Sequence, residues 1–121
     1  MPQPLGEPIF ALVRDLMFSG RIMAEARAAG VEVKVIRDPA AIEKDASAGG
    51  LLIVDMNLPG AIASAGQWRS AKGGTVVGFV AHMDTEAISQ GKAAGFDQVL
   101  PRSRFVAVLP QMLRASKDRA G

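Results

Sequence analysis

Cysteine is absent from this sequence, and histidine occurs once, as His82. The absence of cysteine excludes disulfide bonds, thiolate chemistry and cysteine-ligated zinc, and a single imidazole is too few for a histidine-rich metal site. Any bound metal ion must therefore be held by carboxylates. A chain without cysteine also fits a cytoplasmic location, which we expect for this protein.

The sequence also lacks a large charge of one sign and a long apolar run. Fourteen Lys and Arg residues against twelve Asp and Glu give a net charge of +2, which excludes a nucleic-acid binder that acts by charge alone. No apolar stretch approaches the ~20 residues that span a bilayer, and the N-terminus has no signal-peptide pattern. We therefore expect neither a membrane nor a nucleic acid as partner.

The apolar content of the sequence is high enough for a folded core. Hydrophobic residues make up 49% of the 121 residues, which favours a folded chain over a disordered one. A domain typically uses about 150 residues, so the length predicts one domain, which we place at residues 9–116. A flexible proline-rich lead over residues 1–8 and a polar tail over residues 117–121 are expected to flank it.

Five short segments have the pattern of β-strands. Three are continuous apolar runs, which is typical of strands covered on both faces, and residues 31–36 alternate apolar with charged side chains, which is typical of a strand near a sheet edge. The predicted strands cover residues 9–13, 31–36, 51–54, 75–81 and 98–100.

Helical patterns lie between the predicted strands. Ser19 is placed to cap the first helix and Gly30 to end it, whereas Pro110 either kinks the fifth helix or follows a short turn and begins it. The predicted helices cover residues 20–29, 39–48, 61–71, 85–94 and 103–116. Strands that alternate with helices pair in parallel, with helices on both faces. We therefore predict an α/β fold, a doubly wound (βα)5 flavodoxin-like sheet with strand order 2-1-3-4-5.

Candidate site residues follow the predicted strands, because open α/β sheets bind ligands beyond the carboxyl ends of their strands. These residues are Arg14, Asp15, Asp55, His82 and Arg102. If strands one and three are neighbours, Asp15 and Asp55 converge, and two carboxylates are a set of ligands that suits Mg²⁺. Arg14 and Arg102 instead favour an anionic ligand at the same edge.

Three stretches carry a resemblance to a known family. Residues 51–60 (LLIVDMNLPG) resemble the apolar strand, Asp and Met/Leu-Pro-Gly signature of response-regulator receiver domains, the phosphorelay modules of bacterial two-component signalling. Residues 93–102 (AAGFDQVLPR) and 81–84 (AHMD) are similar to two further stretches of that family. The resemblance covers residues 9–116 and implies that Asp55 is the phosphoacceptor.

The sequence departs from the receiver pattern at four positions. Receivers have two adjacent acidic residues that hold Mg²⁺, whereas Asp15 stands between Arg14 and Leu16, so one ligand is missing, and Val80 stands where receivers have a switch Thr or Ser. Val99 replaces the switch aromatic residue, and Arg102 replaces a lysine. The resemblance therefore implies a degenerate member, a pseudo-receiver, with a weakened Mg²⁺ site.

The candidate site residues also have purely structural interpretations. Asp55 is either a phosphoacceptor or a residue that caps a turn or pairs with Arg102, and Asp15 is either a metal ligand or a residue that caps a loop or pairs with an arginine. His82 has no nucleophile motif beside it and is expected to be a polar loop residue. Trp68 is expected to pack inside the domain.

Two functions remain open on the sequence alone. The first is a stand-alone pseudo-receiver without enzyme activity, which signals by contact with a sensor kinase or a downstream regulator through residues 84–110, as the resemblance implies. The second is a domain that binds a small anionic molecule or nucleotide at the strand ends through Arg14, Arg102 and helix N-termini. The sequence predicts no oligomeric state.

Overall fold

The computed structural model describes residues 7–81 and 84–118. Most of the predicted N-terminal lead, His82 and residues 119–121 lie outside the described residues. The strands are β1 (Ile9–Leu12), β2 (Val33–Ile36), β3 (Leu51–Asp55), β4 (Thr75–Val80) and β5 (Gln98–Pro101). The helices are α1 (Leu16–Ala29), α2 (Ile42–Asp45), α3 (Ala61–Lys72), α4 (Thr85–Ala93) and α5 (Arg102–Asp118).

The five strands form one parallel sheet with the order β2-β1-β3-β4-β5. The predicted fold class and strand order are therefore confirmed. β1 and β3 are neighbours, with Ile9 opposite Leu51, and β3 pairs with β4 so that Asp55 lies opposite Phe79. This register places the ends of β1, β3, β4 and β5 along one edge of the sheet, where α/β folds form their sites.

The core has two layers because successive side chains of a strand point to opposite faces. Leu52 and Val54 of β3 belong to the apolar cluster that contains Trp68 of α3, and Leu51 and Ile53 belong to the cluster on the other face. That second cluster is covered by α1 and α5, and its aromatic members are Phe18, Phe79 and Phe105. Each fully buried Leu, Ile or Phe contributes roughly 1.5–3 kcal/mol to folding.

The first helix begins one turn earlier than its predicted cap implies. Asp15 is the N-cap of α1, and its carboxylate accepts hydrogen bonds from the backbone N–H groups of Met17 and Phe18. The prediction of Ser19 as the cap is therefore wrong. Ser19 lies inside the helix, is 3% exposed, and donates its hydroxyl proton to the carbonyl of Leu16.

Two other helices differ from their predicted extents. Within residues 39–48, Asp38 caps a 3-10 turn, Pro39–Ala41, and the α-helix that follows it, α2, has four residues and ends at Asp45. Helix α5 runs from Arg102 through Pro110 to Asp118, so the alternative prediction of a helix that begins near Pro110 is wrong. No helix within the described residues has the length and apolarity that a membrane span needs.

Candidate functional site

Asp55 is the last residue of β3 and lies half-buried at the carboxyl edge of the sheet. Its Oδ1 accepts a hydrogen bond from the backbone N–H of Asn57 at 3.0 Å, and its carbonyl accepts one from Leu58 at 3.2 Å. The carboxylate thus stabilises the turn that leads into α3. Among the described residues it forms no ion pair, so its second oxygen, Oδ2, is left without a cationic partner there.

Met56, which follows Asp55, fixes the end of β3 in the core. Its side chain lies against Gly78 of β4 and Gly91 of α4, where an added Cβ would collide with the Met56 side chain. The two glycines therefore create the space that Met56 fills. Because Met56 points into one face of the sheet, the alternation of the strand directs Asp55 to the opposite face, which α1 and α5 cover.

Asn57 connects the two loops that border Asp55. Its Oδ1 accepts a hydrogen bond from the backbone N–H of Ala81 at 2.9 Å, which ties the loop after β3 to the loop after β4. The sequence-based set of site residues missed Asn57. Its position two residues after Asp55 was the available signal, since Asn and Asp side chains commonly bond to backbone groups in turns.

The carboxylate of Asp15 serves as the cap of α1. Oδ1 accepts from Met17 N at 2.9 Å and from Phe18 N at 3.4 Å. Leu16, beside it, offers no ligand and is 72% exposed. Within residues 7–81 and 84–118, no group of three or more His, Cys, Asp or Glu side chains is placed to hold a metal ion. Of the acidic residues with which receivers hold Mg²⁺, this edge therefore keeps Asp15 and Asp55 and lacks one of the adjacent pair after β1.

Arg14 turns towards β2 rather than towards Asp55. Its Nε donates to the carbonyl of Arg37 at 3.3 Å, and Arg37 donates in return to the carbonyls of Arg14, at 3.1 Å, and Val13, at 3.4 Å. The two arginines thus tie the end of β1 to the end of β2. Arg14 is exposed, and it pairs with neither Asp15 nor Asp55.

Arg102 begins α5, and aromatic rings hold its guanidinium. The Cζ atom lies 4.5 Å from the ring centroid of Phe18 and 5.7 Å from that of Phe79, distances at which a cation is attracted to the face of a ring. Its Nε is buried and has no hydrogen-bond partner among the described residues. The ion pair with Asp55, one of the sequence-based alternatives, is not formed.

The rings under Arg102 belong to an aromatic cluster that sequence reasoning missed. The centroids of Phe18 and Phe79 are 4.8 Å apart, and Phe105 lies 4.8 Å from Phe79 and 6.0 Å from Phe18. The three residues come from α1, β4 and α5. Since Phe79 is the register partner of Asp55 and the two lie on the same face, this cluster borders the candidate site.

The two valines at the switch positions are part of the core. Val80 is fully buried among the side chains of the α2–α4 face, and Val99 packs against the same cluster. A valine side chain has no hydroxyl with which to bond a group at Asp55, and it has no aromatic ring. The structure gives both a packing role.

An ion pair lies near the amino ends of β4 and β5, away from Asp55. Arg69 binds Asp97 through two hydrogen bonds of 3.1 and 3.0 Å, and Asp97 also accepts from the backbone N–H of Val76 at 2.7 Å. The hydrogen bond from Arg69 is the main cause that lowers the pKa of Asp97, and Asp97 in turn raises the pKa of Arg69. This pair joins α3 to the segment before β5.

A cavity of about 330 Å³ also lies away from Asp55. Its lining includes Leu51, Thr75 and Gln98, the first residues of β3, β4 and β5, together with Arg104 and Met112 of α5. It therefore opens at the amino ends of the strands, whereas the predicted anion crevice lies at their carboxyl ends.

The sequence matches no family model, and no curated protein matches it significantly. Solved structures match it closely in fold. The response regulator receiver domain from Rhodospirillum rubrum aligns with a TM-score of 0.72 at 19% identity, over 89% of this chain and 92% of that one. The BeF3-activated receiver domain of DrrB, from Thermotoga maritima, aligns with a TM-score of 0.78 at 15% identity, over 95% and 100%.

A third match is the signal receiver domain of a modulated diguanylate cyclase from Desulfovibrio desulfuricans. Its TM-score is 0.74 at 13% identity, over 92% of this chain and 95% of that one. These identities show the fold alone, and the fold is that of receiver domains. The resemblance that residues 51–60, 81–84 and 93–102 carry is therefore confirmed at the level of the fold.

Proposed function

We propose that this chain is a receiver-type signalling domain in which Asp55 is the phosphoacceptor and the Mg²⁺ site has been lost. The observation that carries the proposal is the different use of two carboxylates. Asp55 lies at the end of β3 without an ion pair among the described residues, whereas Asp15 caps α1. The receiver fold supports a role in signalling rather than catalysis.

The proposed domain accepts a phosphoryl group slowly. Transfer to a carboxylate requires the charge of the incoming group to be neutralised. Leu16 supplies no carboxylate for a metal, and Arg14 is bonded to the Arg37 carbonyl. Arg102 is the remaining cation among the predicted site residues that the structure describes, and its guanidinium lies on Phe18 and Phe79.

The output of the domain is proposed to be contact with another protein, either a sensor kinase or a downstream regulator. Val80 is buried in the core and Val99 is partly buried against it, so the hydroxyl and aromatic switch of a working receiver has no counterpart at those positions. By the resemblance to receivers, α4, β5 and the first half of α5 form the expected contact surface, residues 84–110. The second function, anion binding through Arg14 and Arg102 together, gains no support because the two side chains bind different partners.

Phosphoramidate, a small phosphoryl donor, tests the proposal. Intact-mass measurement of the full chain should show one added phosphoryl group, gained slowly and at a rate that is the same in Mg²⁺ and in EDTA. The Asp55→Asn variant should gain none, and Asp15→Asn, which keeps the helix cap, should react like the parent. An unmodified parent protein would overturn the phosphoacceptor assignment, and a rate that saturates with Mg²⁺ would overturn the loss of the metal site.

A further inference from the structure

The cavity of about 330 Å³ lies between α5 and the strands β3, β4 and β5. The residues of α5 that line it share one face of the helix, and they begin at Arg104 and end at Ser116. This length of helix spans about 18 Å at a rise of 1.5 Å per residue. For its volume, the cavity is therefore long and narrow.

Aliphatic side chains line the cavity along its length. Leu51 and Val77 are buried, whereas Leu100, Val108 and Met112 are half-buried and keep part of their apolar surface uncovered. Removal of such surface from water by an apolar ligand is favourable. The unbranched side chain of Met112 also adapts readily to the shape of a ligand. The interior of the cavity thus suits an aliphatic chain.

The two ends of the cavity differ in their polar groups. Arg104 is the only charged residue among the described residues that line it, and the Arg104 side chain forms no ion pair or hydrogen bond with another described residue. At the other end, Ser116 is 1% exposed, and its hydroxyl donates to the carboxylate of Glu7 at 3.0 Å. The free donors for an anionic group are therefore at the Arg104 end.

We propose that this cavity binds a free medium-chain fatty acid, with its carboxylate at Arg104 and its aliphatic chain along α5 towards Ser116. The guanidinium fork of arginine matches a carboxylate, to which it donates two parallel hydrogen bonds. Small-molecule sites have volumes of roughly 300–1,000 Å³, and this cavity is near the lower end of that range, which suits one slender chain. The site does not include Asp55, so the inference is independent of the proposed function.

The edge of β5 favours a small ligand over an added β-strand. β5 is the edge strand beside the cavity, has four residues and ends at Pro101. A short edge strand with a proline offers few backbone groups to an incoming strand. The side chains of the cavity, rather than backbone pairing, therefore determine what binds there.

Decanoate is the probe that tests the site. Titration of the isotopically labelled full chain, below the concentration at which decanoate forms micelles, should shift the amide signals of residues 98–100 and 108–115 saturably. Decanoate should bind roughly tenfold more tightly than octanoate, because each buried CH₂ group contributes about fourfold in affinity. This dependence on chain length distinguishes a site for an aliphatic chain from a site for a carboxylate alone.

Two arginine variants of α5 form a matched pair for the titration. Arg104→Gln keeps the helix propensity and removes the cation, so it should weaken decanoate binding about two- to fivefold and leave the binding of uncharged octanol unchanged. Arg114→Gln removes an exposed cation of the same helix that does not line the cavity. It should bind decanoate as tightly as the parent does.

The inference is wrong if millimolar decanoate causes no saturable shift at these residues, or if decanoate binds no more tightly than octanoate. Equal weakening by Arg104→Gln and Arg114→Gln would also overturn it, since this result would indicate a general attraction of anions to α5. If the amide signals of the cavity change with protein concentration in the absence of ligand, a second copy of the chain covers the cavity, and the inference is overturned in that case as well.

Discussion

The carboxylate of Asp15 accepts a hydrogen bond from the backbone N–H of Met17 at 2.9 Å. Together with the weaker bond from Phe18, this contact makes Asp15 the N-cap of α1. The same carboxylate would be a Mg²⁺ ligand if the receiver pattern were intact. In this chain it stabilises a helix end, and the neighbouring residue, Leu16, contributes no oxygen.

Asp15→Ala should lower the free energy of unfolding by about 1 kcal/mol, because an alanine N-cap leaves backbone donors of the first turn unsatisfied. Asp15→Asn should stay within a few tenths of a kcal/mol of the parent, since Asn caps a helix as well as Asp. Urea denaturation followed by Trp68 fluorescence measures both. Equal losses in the two variants would contradict a capping role and point to a need for the charge itself.

Alanine should have opposite effects at two glycines. Gly78→Ala should destabilise the protein by about 1–3 kcal/mol, because the new Cβ collides with the side chains of Met56 and Phe96 in a packed core. Gly20→Ala should stabilise it by about 0.5–1 kcal/mol, since Gly20 lies inside α1 and a Cβ there meets open space. Chemical denaturation of both variants gives the signs. A neutral Gly78→Ala would disprove the close packing of Met56 beside Asp55.

The stability of the protein should fall as the pH drops below the ordinary pKa range of an aspartate side chain. The hydrogen bond from Arg69 lowers the pKa of Asp97 in the folded protein. A lowered folded-state pKa contributes stability above the unfolded-state pKa, and this contribution is lost as the pH falls through the folded value. Thermal unfolding from pH 6 to about pH 2 should therefore show a steeper loss in the parent than in Asp97→Asn.

Arg69→Gln provides the matched check on that pH dependence. It leaves the Asp97 carboxylate in place and removes the largest cause of its lowered pKa. The variant should therefore flatten the acid limb of the stability profile as Asp97→Asn does. A profile that stays as steep as that of the parent would assign the acid sensitivity to other carboxylates.

Trp68 should stabilise the fold both by its burial in the core and by one hydrogen bond. It is 3% exposed, and its Nε1–H donates to the carbonyl of Ala46 at 2.7 Å, which ties α3 to the end of α2. Trp68→Phe should cost about 1–3 kcal/mol, because the carbonyl loses its indole donor inside the core. Circular dichroism is the measurement, since the variant lacks the fluorophore. A loss of a few tenths of a kcal/mol would show that the hydrogen bond adds nothing to packing.

The architecture was predictable because its signals are local. The buried strands are continuous apolar runs such as residues 51–54, and the strand order follows from the alternation of strands and helices together with the receiver resemblance. The start of α1 was mispredicted because Asp15 and Ser19 are both good caps four residues apart. Capping propensity does not choose between them. The helix that starts after Asp15 has one more turn, and this turn places Phe18 in the aromatic cluster.

The arrangement of the site was less predictable than the fold. The sequence identified Asp55 and Arg102, but not what Arg102 contacts. Its partners, Phe18 and Phe79, lie in α1 and β4, and the three residues meet only after the sheet and both helices have packed. Arg14 likewise binds the carbonyl of Arg37, a backbone group that no side-chain pattern reveals.

A Mg²⁺ titration of the isotopically labelled protein tests the proposal that this receiver fold keeps Asp55 but has lost its metal site. The amide signals of residues 15–17 and 55–57 are followed in the parent and in Asp55→Asn. We expect no saturable shift at these residues up to millimolar Mg²⁺. Saturable shifts in both segments that disappear in Asp55→Asn would contradict it and identify a working metal site.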